Sequence, residues 1–357
     1  MKNIDSINLD EIEKIKEGQR LITDKFKEKG ELYNGSRLEI RESITGACNF
    51  RCRYCTEGTS RKYDRSYMFW LKLNGVLNAL GIKGIHHTGG EPTVRDNLDA
   101  YVECLNILGY TSQVITTNGS NPEMLNKCID KGVTRLNISL DTLDKKKFSE
   151  IARQEEYVYD NVMDTIDIAS KRLSLFKINM VVMNKNFNEI EDMLYFAQEK
   201  GAVLRLIELY PYGPAIESGK LNYDENHVSK NEIVEKLWNI GDLSETEVDG
   251  INAVPRYYKI SGFERPIAII SPNWTKGGAI CGKERCIRLR AGANGNITYC
   301  NNIPEVSGDL LAKMTTEEMA ECMADLIYKK NERVRLRQFP KVHPFAYKTL
   351  RFGEVSD

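Results

Sequence analysis

The apolar positions of this chain follow two alternating patterns, one typical of strands and one typical of helices. Short runs rich in β-branched residues predict buried strands, and they lie at 37–45, 84–88, 112–117, 135–140, 176–182 and 204–209. Longer amphipathic stretches predict helices, and they lie at 66–80, 96–108, 122–131, 157–172 and 188–200. A further amphipathic helix is predicted within 8–29, ahead of the first strand.

Strands that alternate with helices predict parallel βαβ units, because right-handed crossovers return the chain to the same end of a sheet. Such units build a doubly wound sheet or an open version of the eight-fold α/β barrel. We expect an α/β fold with a partial (β/α)6, TIM-like barrel, whose chemistry lies at the carboxyl ends of the strands. Three motifs do follow strands, namely "CNFRCRYC" (48–55), "TGGEP" (88–92) and "TTNG" (116–119).

The alternation of strands and helices breaks after about residue 213. Residues 214–280 mix a loop, one predicted helix and short strands, and they precede a second group of cysteines and a basic tail. We therefore predict a helical lead-in (1–36), the barrel (37–214) and a smaller C-terminal module (215–357) that closes over the open end of the sheet.

The cysteines form two groups. Cys48, Cys52 and Cys55 lie within eight positions, and Cys281, Cys286 and Cys300 form the second group. The first spacing lets one loop hold three corners of an Fe4S4 cube, which leaves one iron open to a small molecule. Structural zinc needs four ligands, usually from paired C-x2-C elements. The first group therefore favours an open iron–sulfur site over zinc or a disulfide.

Composition narrows the class of protein. The chain of 357 residues is 41% hydrophobic and 28% charged, with a formal net charge of −1, so it is not built to attract nucleic acid or a membrane surface as a whole. No apolar run approaches the ~18 residues of a membrane span, and the charged N-terminus does not look like a signal peptide. We expect a cytoplasmic protein, in which clustered cysteines indicate metal or redox chemistry.

The cysteine loop after the first strand, with Tyr54 before its last cysteine, resembles the radical S-adenosylmethionine (SAM) superfamily. The resemblance implies a [4Fe-4S] cluster whose fourth iron binds SAM, and one electron that cleaves SAM to a 5′-deoxyadenosyl radical. That radical abstracts a hydrogen atom from the substrate. The same resemblance implies SAM contacts from the residues Gly89, Gly90, Glu91, Thr117, Asn118, Ser139 and Arg205.

Within that superfamily, several segments are similar to the GTP 3′,8-cyclase branch: "RESITGACNFRCRYC", "TGGEPTVRDNL", "RLNISLDTLD", "LRLIELYPYG" and "CIRLRAGANGNITYC". This likeness implies a second [4Fe-4S] cluster at Cys281, Cys286 and Cys300. It also implies contacts to an anionic substrate from Arg41, Lys177, Arg288 and Arg290. Structural zinc, or a cluster whose fourth ligand comes from elsewhere, such as His343, stays open for the second group.

The segments also depart from that branch. Two of its basic positions before "TGGEP" are Gly84 and His86 here, and the chain ends "LRFGEVSD" rather than in a glycine pair. The spacing Cys281-x4-Cys286 is two residues longer than that of the branch. The substrate therefore stays open.

Three functions compete at this point. The first is a radical SAM enzyme that acts on a nucleotide-like or other anionic small molecule bound near a second iron–sulfur cluster. The second is a radical SAM enzyme that modifies a peptide. The third is an iron–sulfur sensor or nucleic-acid-binding regulator, which must explain the intact SAM motifs. For the enzymes we expect an electron donor such as flavodoxin or ferredoxin.

His86 and His87 are neighbours on the second predicted strand. Because side chains alternate along a strand, we expect one of them inside the barrel and the other against the helices. The inward one is a candidate substrate contact.

Overall fold

The computed structural model of the protein describes residues 6–27, 29, 34–36, 38–55, 62–211, 213–246, 256–271, 274–275, 278–280, 288–298, 305–335 and 341–342. Its strands are β1 Glu39–Thr45, β2 Gly84–Gly89, β3 Ser112–Thr117, β4 Arg135–Ser139, β5 Lys177–Val182, β6 Val203–Glu208, β7 Leu243–Thr246, β8 Arg256–Ile260, β9 Ile267–Ile270, β10 Trp274–Thr275, β11 Gly278–Ile280, β12 Arg288–Ala291, β13 Ile297–Thr298 and β14 Lys341–Val342.

Its helices are α1 Leu9–Lys27, α2 Tyr67–Ala79, α3 Leu98–Ile107, α4 Pro122–Asp130, α5 Lys145–Ala152, α6 Val158–Arg172, α7 Ile190–Glu199, α8 Pro214–Glu217, α9 Tyr223–Asn226, α10 Lys230–Trp238, α11 Gly308–Lys313 and α12 Thr316–Arg335. No helix in the described part of the chain combines the length and apolar composition that a membrane crossing requires.

The strands β1 to β6 pair in sequence order, and every pair is parallel. Helices connect each strand to the next, so the predicted α/β fold with a partial barrel is confirmed. The helix α5 was not predicted, because it spans only eight residues. Its sequence signal was Asp144, whose side chain accepts a hydrogen bond from the Lys147 backbone N–H and begins the helix.

Five C-terminal strands continue the same sheet at its two edges, namely β7, β8, β9, β12 and β13, whereas β10, β11 and β14 form a separate three-stranded sheet. Strand β12 pairs in parallel with β1, and β9 pairs in parallel with β6. The full strand order is β13-β12-β1-β2-β3-β4-β5-β6-β9-β8-β7. Residues far apart in sequence therefore face the same interior, while the predicted division of the chain near residue 215 stays a prediction.

The two faces of the barrel strands differ in chemistry. On β1 the outward residues Ile40 and Ile44 are fully buried against the helices, and Glu42 between them bonds to helix side chains. On β2 the outward His87 places Nδ1 2.9 Å from Glu42 Oε1, whereas His86 on the opposite face lies 3.1 Å from Glu39. The opposite orientations predicted for the two histidines are confirmed.

Candidate active site

The cysteine loop leaves β1 at Thr45 and is held at its start by Asp64. The Asp64 carboxylate accepts hydrogen bonds from Thr45 Oγ1, at 2.6 Å, and from the Gly46 backbone N–H, at 2.7 Å. From the outer side the buried Arg95 donates to the Ile44 carbonyl at 2.7 Å. The side chains of Asp64 and Arg95 thus fix the point where the chain turns from strand into loop.

The far side of the loop is attached to the C-terminal end of α5. The backbone N–H groups of Arg51 and Arg53 donate to the carbonyls of Ala152 and Ile151, at 3.1 and 2.9 Å. These carbonyls have no partner within their own helix, so the loop supplies one. The Tyr54 hydroxyl donates to Asp141 Oδ2 at 2.8 Å, which ties the loop to the end of β4.

The three thiols of the loop share one neighbourhood. Cys48 and Cys52 are partly buried and Cys55 is exposed. Burial raises the pKa of the Cys52 thiol, and the charges of Asp141, Cys55 and Cys48 raise this pKa further. Burial likewise raises the pKa of Cys48. An iron ion would reverse these shifts, since a coordinated thiol loses its proton.

The other predicted ligands, Cys281, Cys286 and Cys300, lie outside the described residues. Within the described ranges, no three His, Cys, Asp or Glu side chains are gathered closely enough to hold a single metal ion.

The "TGGEP" segment packs backbone to backbone against the cysteine loop. Gly90 N–H donates to the Thr45 carbonyl at 2.9 Å, and Glu91 N–H donates to the Ala47 carbonyl at 2.8 Å. A Cβ atom on Gly90 would lie 2.0 Å from the Ala47 carbonyl oxygen, and one on Gly89 would lie 2.2 Å from that of Thr45. Only glycine allows this approach, so the two motifs form one rigid unit.

The side chain of Glu91 stabilises this unit by hydrogen bonds. Its buried carboxylate accepts hydrogen bonds from Thr117 Oγ1 at 2.7 Å, from the Asn118 N–H at 2.6 Å and from Thr93. Burial raises the pKa of Glu91, and the hydrogen bonds from Asn118, Thr117 and Thr93 oppose that rise. Glu91 and Thr117 therefore connect β2 to β3, and a direct contact from either side chain to SAM stays a prediction.

A row of polar side chains crosses the barrel above its middle. Ser139, Asn179 and Arg205 are in register on β4, β5 and β6. In the described part of the chain, Asn179 Oδ1 and Arg205 Nε are buried without a hydrogen-bond partner. Unpaired buried polar atoms are costly, so this row is suited to receive a polar ligand.

Basic side chains line the barrel at this row and below it, and we call them the barrel cations. They are Arg41, Arg135, Lys177, Arg205, Arg288 and Arg290. In the described part of the chain, Glu39 is the carboxylate that lies among them, 3.9 Å from Arg288 Nε. Lys177 Nζ donates to the Tyr257 hydroxyl at 2.9 Å. The four predicted substrate residues, Arg41, Lys177, Arg288 and Arg290, are thus brought together although they come from three strands.

The positive charges of the barrel cations lower one another's pKa values. Burial, followed by the charges of Arg290, Arg288 and Arg205, lowers the pKa of Arg41 to about 9. Burial and the charges of Arg205, Arg135 and Arg288 lower the pKa of Lys177 to about 6. Lys177 is buried, Arg41, Arg135, Arg205 and Arg288 are partly buried, and Arg290 is exposed. Like charges therefore repel most strongly around Lys177, where burial lowers the local dielectric. The cluster would therefore gain stability from a bound anion.

The comparisons with known proteins agree with this geometry. The family model of the radical SAM superfamily matches residues 43–197. The chain is 30% identical over 314 residues to a GTP 3′,8-cyclase from Alkaliphilus oremlandii, covering 85% of this chain and 93% of the relative. The chain belongs to the radical SAM superfamily. It is a radical SAM enzyme of the GTP 3′,8-cyclase-like type.

Further matches extend this result. The radical SAM enzyme is also 32% identical over 273 residues to a GTP 3′,8-cyclase from Ectopseudomonas mendocina, covering 73% of this chain and 78% of the relative. Among solved structures, Streptococcus suis SuiB bound to its precursor peptide SuiA is similar with a TM-score of 0.58 at 14% identity, covering 92% of this chain and 72% of that one. At that identity the likeness concerns the fold alone.

The residues fit the cofactors of the superfamily, a [4Fe-4S] cluster and SAM. Three thiols sit on one loop at the carboxyl end of β1, and the glycine-lined "TGGEP" segment lies against that loop. When bound, the cluster and SAM supply one-electron chemistry that ends in hydrogen-atom abstraction. Cys48, Cys52 and Cys55 would hold the cluster, and Asn179 and Arg205 offer unpaired polar atoms at the level where a ligand would lie.

Sequence reasoning missed Glu39, Arg135, Asn179 and Tyr257. Glu39 and Asn179 could have been found by alternation, since they stand two positions from Arg41 and Lys177 and share their faces. Arg135 is the first residue of β4, and no sequence motif singled it out. Tyr257 could not be found, because its proximity to Lys177 depends on the order of strands β6, β9 and β8.

Proposed function

We propose that this radical SAM enzyme abstracts a hydrogen atom from an anionic, nucleotide-like small molecule held by the barrel cations. The observation that carries the proposal is the imbalance of charge among the described side chains of the barrel, where the barrel cations outnumber Glu39, the carboxylate among them. Holding like charges together in a partly buried cluster costs free energy. An anionic substrate would remove that expense on binding, and the relatives named GTP 3′,8-cyclase act on a nucleotide.

In this proposal Cys48, Cys52 and Cys55 bind the first cluster, and SAM lies along the "TGGEP" segment and the row Ser139, Asn179 and Arg205. The second group of cysteines, Cys281, Cys286 and Cys300, binds an auxiliary [4Fe-4S] cluster. Strand β12 lies close to that group in sequence and supplies Arg288 and Arg290 to the barrel. This proximity supports a substrate position between the two cofactors.

The test separates SAM cleavage from substrate chemistry. Protein purified without oxygen should carry about eight irons, four for each cluster, and should release 5′-deoxyadenosine with dithionite and SAM. Arg290→Ala should retain uncoupled SAM cleavage but lose about 10²-fold or more in product formation from a nucleotide substrate, because an anchoring charge is gone. Arg256→Ala is the matched control, since Arg256 on β8, like Arg290 on β12, is an exposed arginine of the same sheet.

Normal product formation by Arg290→Ala would refute the anion assignment. About four irons per chain would remove the auxiliary cluster. Hydrogen abstraction from a precursor peptide, with no reaction on nucleotides, would show that the protein is a peptide-modifying enzyme instead.

A further inference from the structure

Glu39 lies at the base of the barrel, below most of the barrel cations. It is the first residue of β1, and its side chain is 14% exposed. Its Oε2 atom lies 3.1 Å from His86 Nε2 and 3.9 Å from Arg288 Nε. Burial raises the pKa of Glu39, but the interaction with His86 and the charges of His86, Arg288 and Arg135 outweigh burial and leave that pKa below its usual value. Glu39 is thus an ionised carboxylate inside the barrel.

The neighbouring strand leaves room for this carboxylate. Gly84 on β2 is in register with Glu39, and a Cβ atom on Gly84 would lie 3.0 Å from Glu39 Cγ and 3.4 Å from Oε1. Any larger residue at position 84 would press on the Glu39 side chain. Register places Arg288 of β12 on the other side of Glu39. The carboxylate is therefore held in place between two strands.

The register also divides the basic residues into two levels. At the lower level Glu39 is paired in register with Arg288, and two residues further along β1, Arg41 is paired with Arg290. Arg41 is partly buried and Arg290 is exposed, and within the described residues no carboxylate pairs with either of them. The lower level therefore already has an internal anion, while the upper level has no carboxylate among the residues that the structure describes.

We propose that Glu39 is a resident counter-ion that limits the anionic group of the substrate to a compact one, such as a single phosphate or a carboxylate. This inference rests on the proposed function. A compact anion binds Arg41 and Arg290, with Arg205 alongside, and does not reach the base of the barrel. A longer polyphosphate that extended toward the base would meet the Glu39 carboxylate, and like charges in a low dielectric repel. Glu39 is then a specificity-determining residue.

The experiment measures the binding of inorganic phosphate, pyrophosphate and tripolyphosphate to the anoxically purified holoenzyme by calorimetry, at one pH and constant ionic strength. For the natural sequence we expect tripolyphosphate to bind no more than about threefold more tightly than phosphate. In Glu39→Gln the ratio of these affinities should rise to about tenfold or more, because the lower basic residues lose their counter-ion. A general loss of folding would not change this ratio selectively.

Glu103→Gln is the matched control. It removes the same charge, but Glu103 is a half-exposed residue of α3 paired with Lys131. It should leave the affinity ratio as in the natural sequence. If Glu39→Gln does not fold, Gly84→Ala should raise the same ratio by displacing the Glu39 side chain.

Two results would overturn the inference: a natural enzyme that binds tripolyphosphate more than about tenfold more tightly than phosphate, or an unchanged ratio in the Glu39→Gln or Gly84→Ala enzyme. Failure of the proposed function looks different. In that case none of the three anions binds, or Arg290→Ala binds them as the natural sequence does.

Discussion

Lys177 on β5 and Tyr257 on β8 are joined by a hydrogen bond of 2.9 Å, although 80 positions separate them. The bond exists because β8 and β9 continue the sheet beyond β6. Tyr257 is buried, and burial raises its pKa while the charges of Arg205, Arg135 and Arg288 oppose that rise. The pair places a neutral hydroxyl, rather than a carboxylate, next to the Lys177 amine.

The first prediction concerns Lys177 and pH. Its pKa is lowered to about 6 by burial and by Arg205, Arg135 and Arg288, against the opposing charge of Glu39. A bound anion favours the protonated amine and raises this pKa, so binding takes up a proton above pH 6. The affinity for sulfate, which does not titrate in this range, should therefore fall by up to about tenfold per pH unit as the pH rises above 6. Calorimetry between pH 6 and 8 measures this slope.

Lys177→Met is the control for that slope. It should bind sulfate with an affinity that barely changes over the same range. His86 does not replace the lysine as the titrating group, because burial lowers the pKa of His86 to about 4. An equal slope in Lys177→Met would show that another group takes up the proton.

The second prediction concerns the contact between the "TGGEP" segment and the cysteine loop. In Gly90→Ala the new Cβ would lie 2.0 Å from the Ala47 carbonyl oxygen, so the loop must move. We expect a lower midpoint of thermal unfolding and at least about tenfold weaker SAM binding, since positioning is lost. Gly18→Ala is the control, because its Cβ would lie 3.5 Å from Thr316 Cγ2 and alanine stabilises a helix interior by about 0.5–1 kcal/mol. Normal SAM affinity in Gly90→Ala would mean that the loop adapts.

The third prediction concerns the thiols. Cys55→Ser should lose about four irons per chain and all 5′-deoxyadenosine release, because the first cluster would keep only two thiolates. Cys322→Ser changes a partly buried thiol on α12 and should keep both the iron and the activity. Iron analysis and chromatography measure the two outcomes. Full SAM cleavage by Cys55→Ser would exclude Cys55 as a ligand.

The fourth prediction concerns stability outside the active site. The fully buried Glu42 carboxylate accepts hydrogen bonds from Tyr101 Oη at 2.8 Å and Asn74 Nδ2 at 2.8 Å, and it lies 2.9 Å from His87 Nδ1. Glu42→Gln replaces an acceptor by a donor among donors, so the free energy of unfolding should fall by about 2–4 kcal/mol. Urea denaturation measures this loss.

The substitution Glu103→Gln, at a half-exposed position, should change the same free energy by less than about 0.5 kcal/mol. A change in Glu42→Gln as small as that one would mean that the Glu42 network adds little to stability.

The sequence by itself determined the order of strands β1 to β6, most of the helices between them and the position of the cysteine loop. These depend on patterns of residues that are close in sequence. Alternating apolar residues specify a strand such as β1, and the spacing of Cys48, Cys52 and Cys55 specifies one loop. Alternation also separated His86 from His87. The short helix α5 was not predicted from the sequence, because it has too few residues for a periodic pattern.

Only the tertiary structure decided which side chains meet inside the barrel. Arg288 lies beside Glu39, and Tyr257 lies beside Lys177, because β12 joins one edge of the sheet and β9 with β8 joins the other. A local pattern fixes the face on which a side chain lies, but its neighbours depend on strand order and register. Those are set when distant segments bury their apolar residues together, and so the charge balance of the barrel follows from the fold as a whole.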